Sequence, residues 1–218
     1  MHDYSGRIAL ALAMLAAPVP QAFAKPIAYA DGTTVMLEYG AGTMAEAQVF
    51  HAPSYRYSFG GGHLSLDSEA GGGTQDFSYL RFNYLPKRWN LESAQANVFV
   101  WASAGNAHIG ETGGDRFAWN VGGQFDYETR RVYASLRTDQ YESSAFSQRI
   151  DTLQLRFAPY AHDYDRLAVW FVAQARHADE LSGDVELAAL LRLFKRNAWI
   201  EAGLTQDGKL QAMLMFNF

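Results

Sequence analysis

From about residue 77 to its end, this chain places an apolar side chain at almost every second position. A spacing of two puts those side chains on one face of an extended strand; a helix would scatter them around its circumference. Residues 115–127 are the clearest case. Phe117, Trp119, Val121, Gly123, Phe125 and Tyr127 share one face, and Arg116, Ala118, Asn120, Gly122, Gln124 and Asp126 share the other. Rings stand near both ends of the apolar face and smaller residues near its middle. Two interfacial girdles around an acyl band require that arrangement. Residues 209–218 repeat it, with Leu210, Ala212, Leu214, Phe216 and Phe218 against Lys209, Gln211, Met213, Met215 and Asn217. A last strand ending on Phe218 suits a closed barrel, where it pairs with the first strand and leaves no edge.

The same alternation predicts strands over residues 77–86, 92–104, 131–141, 148–159, 165–177, 184–194 and 198–206. Residues 184–194 carry good helix formers, but their alternation and their position between strands favour a strand. Earlier, residues 33–39 alternate cleanly, 46–59 form a longer strand interrupted at Pro53, and 63–68 form a short weak one. Gly60-Gly61-Gly62, the stretch 86–91, the loop 105–114 and Asp207-Gly208 are predicted connections. The expected fold is all-β, a transmembrane antiparallel up-and-down barrel of about twelve strands, or ten if the first third is misread. With the last residue on the periplasmic side, most of the longer connections fall outside.

Composition agrees. Charged residues make up 19% and aromatic residues 14% of the 218 residues, against about 25% charged for average soluble domains. A net charge of −5 offers no basic field for nucleic acid. The absence of cysteine excludes disulfides and thiolate metal sites. Mean hydropathy of −0.19 is too polar for a helical membrane protein, whereas a barrel confines its apolar residues to alternate positions. At the start, Arg7 precedes an apolar run too short to span a bilayer, and Ala22-Phe23-Ala24 fits a small-x-small cleavage pattern. Residues 1–24 are therefore expected to be a cleaved secretory signal peptide, and 25–218 a single barrel domain.

Taken together, these patterns resemble the bacterial outer-membrane β-barrel proteins. The assembly signal of that class pairs a polar residue with a Gly two positions on and aromatics three and five after the Gly. Gln211, Phe216 and Phe218 match it, while Met213 stands where the Gly is expected. The resemblance implies an outer-membrane location, lipid and lipopolysaccharide as surroundings, and the barrel-assembly machinery as a partner of the closing strand.

With apolar residues toward lipid, the alternate set faces the lumen. Two charged tiers are expected to line it. Arg116, Arg137, Asp139, Arg176, Asp184 and Glu186 lie toward the outside, and Asp126, Arg131, Arg156, Arg166, Arg192 and Glu201 toward the periplasm. Arg56, Arg81, Glu38 and Glu46 belong to the same inward set. An excess of arginine in a narrow pore favours anionic or sugar-acid solutes, although arginines and carboxylates can also pair across strands and simply fill the lumen. Inward Phe99, Trp101, Tyr133, Trp170, Met213 and Met215 imply a constricted interior. The expected function is a narrow channel or substrate-selective pore for small solutes. A closed structural or adhesion barrel acting through its outer loops is the alternative, and an outer-membrane hydrolase or acyltransferase the third reading. No enzyme, cofactor or metal is expected. The GxSxG motif and any HxxxH pair are absent, and the best candidate base, His177 beside Asp179 and Glu180, has no nucleophile motif near it. His162 falls on a short turn on the periplasmic side.

Overall fold

The computed structural model describes residues 27, 29–67, 74–110, 114–144, 146–161, 163, 165–179 and 184–218. The expected signal segment, His162 and Glu180 lie outside them. Twelve strands follow one another: β1 (Gly32–Gly40), β2 (Met44–Ser54), β3 (Tyr57–Asp67), β4 (Thr74–Asn90), β5 (Ala94–Ile109), β6 (Asp115–Thr129), β7 (Val132–Ser143), β8 (Ser147–Phe157), β9 (Ala168–Ala178), β10 (Val185–Lys195), β11 (Ala198–Thr205) and β12 (Leu210–Asn217). Each pairs antiparallel with its chain neighbours, and β1 pairs with β12, so the sheet closes into a barrel. At the seam the backbones of Thr33 and Phe218 exchange hydrogen bonds of 2.7 and 2.9 Å. Inside it, Thr34 donates to Asn217 at 2.7 Å.

The apolar set faces outward. Leu80, Val121, Phe125, Leu136, Leu153, Leu155, Phe171, Leu191, Ile200 and Leu214 are all exposed on the barrel's outer surface. On a soluble body this continuous greasy surface would be untenable; in a bilayer it is the acyl belt. Tyr57, Tyr84, Trp89, Tyr127, Phe157, Phe216 and Phe218 stand outward toward the end where the chain terminates, and Tyr39, Phe117 and Trp119 toward the far end. Above the belt at the far end the outer face turns polar. His63 lies 3.7 Å from Asp76, His108 3.3 Å from Asp115, and Arg149 3.0 Å from Asp151.

The alternation located strands well but misplaced several of their ends. Gly60-Gly61-Gly62 is not a turn; it lies inside β3, and the chain reverses at Tyr55 and Arg56. The glycines are needed for close packing. A Cβ on Gly60 would sit 1.9 Å from the Val49 carbonyl oxygen, and one on Gly62 2.6 Å from the Tyr79 hydroxyl. Residues 86–90 are likewise not a connection. β4 continues through Pro86 by shifting register between Tyr84 and Lys87, a bulge that accommodates a residue without an N–H. The expected loop at 105–114 begins only after Ile109. At the terminal end, four connections (55–56, 91–93, 130–131 and 196–197) have two or three residues, but 158–167 is longer than any connection at the far end.

Candidate functional site: the arginine-lined lumen

Apolar clusters pack inside the barrel near both ends, beside buried polar groups such as Asn97, Asp126 and Asn217 at the terminal end. Toward the far end, Leu64, Leu66, Phe77, Tyr141 and Ile150 pack together. Toward the terminal end, Tyr133, Trp170, Phe194, Trp199 and Met215 form one cluster, and Ile27, Ala52, Leu85, Phe99 and Trp101 another. The constriction expected from inward rings and thioethers therefore has a physical form. Ile27, which precedes β1, is buried inside the barrel against strand residues.

A cavity of about 120 Å³ lies among the polar residues. Its wall carries Arg81, Arg137, Arg156, Arg176 and Arg192, against Glu38, Asp139 and Glu201. Each acid is held by a neighbour. Arg192 Nε donates to Glu201 Oε2 at 2.6 Å, and Arg176 Nη2 to Glu38 Oε1 at 2.7 Å. Asp139 accepts from Arg137 Nε at 2.6 Å and from the Trp101 indole at 2.8 Å. The indole reaches it because residue 122 is glycine. A Cβ there would lie 2.4 Å from Trp101 Nε1.

The arginines are less completely engaged. Arg81 Nε, Arg156 Nε and Nη1, Arg176 Nε and Arg192 Nη1 are buried with no hydrogen-bond partner among the described residues. A buried charged donor without an acceptor is costly. Aromatic faces supply part of what is missing. Arg156 lies 4.3 Å from the centre of the Tyr133 ring and Arg81 4.6 Å from that of Tyr79, distances at which the ring quadrupole attracts a cation. Beside Arg81, Glu46 accepts from the Tyr79 hydroxyl at 2.6 Å.

A row of amides links the strands across the lumen. Arg156 donates to Gln154, Gln154 donates to Gln174 at 2.6 Å, Gln174 donates to Gln211 at 2.8 Å, and Gln211 donates to Glu186. The Gln174–Gln211 bond runs from β9 to β12 over the inner faces of β10 and β11, where Ala188 and Gly203 carry little bulk. Alternation put these glutamines on the inward face but gave no sign that they connect.

The structure separates the predicted lumen residues into two groups. Arg137, Arg176, Arg156, Arg192, Glu201, Glu186 and Asp126 face inward. Asp126 is fully buried and accepts from Asn97 at 2.6 Å. Arg116, Arg131 and Arg166 do not line the interior. Arg116 is exposed near the far end of β6. Arg131 lies in the 130–131 turn, donates to the carbonyls of Ala158 and Pro159 at 3.0 Å and lies over the Phe157 ring. Arg166 is exposed in the 158–167 connection. Arg56 is also outside, in the turn before β3, with its Nε 3.0 Å from the Tyr55 hydroxyl. Asp184 sits at the far-end rim, not on a strand. His177 points outward, 3.2 Å from Asp179 and opposite Asp151 in register.

No protein-family model matches the chain, and no curated protein matches its sequence. Solved structures do match its shape. KdgM porin in complex with disordered oligogalacturonate aligns with a TM-score of 0.50 at 8% identity, covering 86% of this chain and 98% of that one. The chain has the fold of an outer-membrane β-barrel. Another structure of KdgM porin aligns with a TM-score of 0.46 at 9% identity over 86% of this chain and 98% of that one. A loop-deletion mutant of OmpT, an outer membrane protein of Vibrio cholerae, aligns with a TM-score of 0.31 at 10% identity over 86% and 97%. At these identities the likeness concerns the fold and not the lumen residues. The first of these alignments, together with the exposed apolar belt, makes this chain an outer-membrane β-barrel.

Proposed function

We propose that this barrel is a narrow channel that favours small anionic solutes. The observation that carries the reading is the cavity wall, with five arginines against three acids and four of those arginines holding buried N–H groups without hydrogen-bond partners among the described residues. Such a wall favours a solute that brings its own negative oxygens, because guanidinium donors bind carboxylate and phosphate strongly. Confinement strengthens the preference, since charges lining a narrow low-dielectric passage are screened less than charges in open water. The KdgM porin structure was solved with oligogalacturonate, an acidic sugar chain of the same charge class.

The decisive experiment is conductance of the purified barrel in planar bilayers under a KCl gradient. The expected result is a small unitary conductance with a reversal potential on the chloride side. Replacing Arg156 and Arg192 together with glutamine should shift that potential toward potassium. A cation-selective channel would overturn the charge preference. A barrel that folds but passes no current would favour the second reading, a closed barrel acting through its far-end loops. The apolar clusters packed inside both ends support that alternative.

A further inference from the structure

A second cavity, of about 220 Å³, opens at the far end of the barrel. Its wall holds Asp67, Asp184, Glu186 and Asp207 against Arg176 and Lys209. It therefore has an acidic character, while the cavity beneath it is basic. The two share only three lining residues, Met44, Ile150 and Arg176. Those three form the neck between them.

Arg176 is the charged member of that neck. Its guanidinium is tied on one side, with Nη2 donating to Glu38 at 2.7 Å and Nη1 resting 3.2 Å from the Met44 sulfur. Its Nε is buried with no partner among the described residues. Glu38 is the more exposed partner, with 22% of its side chain accessible against 10% for Arg176. One carboxylate therefore occupies the guanidinium that stands at the junction, and that carboxylate is the one solvent reaches more easily.

We propose that the Arg176–Glu38 pair is the selectivity element of this channel, and that a small sugar acid passes the neck by exchanging its own carboxylate for that of Glu38 on Arg176. The exchange replaces one charge-assisted hydrogen bond with another of the same kind, so the guanidinium is never left bare. A neutral sugar of equal size has no group that can take over the site, and meets the closed pair. The acidic vestibule adds a second effect. An anion arriving from the far end crosses a mouth of four carboxylates and one lysine, Lys209, before it reaches Arg176 at the neck.

This inference rests on the channel reading, and one assay separates the two. Glucuronate and glucose differ at a single carbon, so their entry into liposomes holding the full barrel isolates the carboxylate. The wild-type barrel should admit glucuronate faster than glucose. Glu38→Gln should raise the glucuronate rate several-fold and leave glucose unchanged. Arg176→Gln should bring glucuronate down to the glucose rate. Met44→Ala, which widens the neck without touching its charge, should raise both rates together. Glucuronate-to-glucose ratios equal in wild type, Glu38→Gln and Met44→Ala would overturn the proposal while leaving the channel intact. A barrel admitting neither solute would overturn the channel reading and the neck with it.

Discussion

Arg192 and Glu201 stand directly opposite each other on β10 and β11, and Arg192 Nε donates to Glu201 Oε2 at 2.6 Å with both side chains almost wholly buried. Cross-strand opposition gives the shortest path between two side chains on one face of a sheet. Burial makes the pair interdependent. Glu201→Ala leaves a buried guanidinium without its counter-charge and should destabilise the barrel by about 3–5 kcal/mol. Replacing both residues with leucine should recover most of that loss. Urea unfolding of the refolded barrel in lipid vesicles, followed by tryptophan fluorescence, measures both.

The outer belt makes a separate prediction. Leu155 lies between Leu153 and Phe157 on the outward face of β8, and all three are exposed. Leu155→Arg should cost about 2–4 kcal/mol if that face meets hydrocarbon. Asp151→Ala, four residues away on the same face, removes an exposed partner of Arg149 and should change stability by less than about 1 kcal/mol. Equal effects at the two positions would mean that the belt does not meet lipid.

Gly122→Ala tests how the lumen is packed. The new methyl group would need the space now held by the Trp101 indole. Displacing that ring breaks its bond to Asp139 and leaves the carboxylate with Arg137 and a longer bond from Asn120 at 3.4 Å. A loss of about 1–3 kcal/mol is expected, with a shift in tryptophan emission that Gly123→Ala, whose Cβ would meet nothing closer than 3.4 Å, does not produce.

Ile27 tests the closure of the terminal end. It is packed inside the barrel with Leu85 and Phe99. Ile27→Ala should remove buried contacts worth about 2–5 kcal/mol and raise unitary conductance. Unchanged current would mean that the passage does not run past this residue.

The barrel itself was legible because a membrane wall obeys one rule along its whole length. Each residue faces either lipid or lumen, so period two persists across turns and bulges. That persistence also explains the errors. Arg116, Arg131 and Arg166 continue the inward alternation in the sequence, yet they lie beyond the part of the wall that encloses the lumen, and nothing in the pattern marks where enclosure ends. Gly60-Gly61-Gly62 reads as a turn because a run of glycines usually is one. Here it admits the Phe50 ring and the Tyr79 hydroxyl close to the backbone, a requirement set by strands β2 and β4 and invisible within β3. The amide row through Gln154, Gln174 and Gln211 was hidden for the same reason. Gln154 and Gln174 face each other on paired strands, but Gln174 and Gln211 lie three strands apart and meet only because the sheet curls round on itself.

The wall is uneven in height. β4 and β5 run for 17 and 16 residues, whereas β11 and β12 run for eight each and β1 for nine. The circle is thus completed along its shortest staves, where fewest backbone bonds hold neighbour to neighbour. Under stress the cylinder should part at that join, peeling from Phe218 and Thr33 inward, while the tall flank opposite remains knitted as a single sheet.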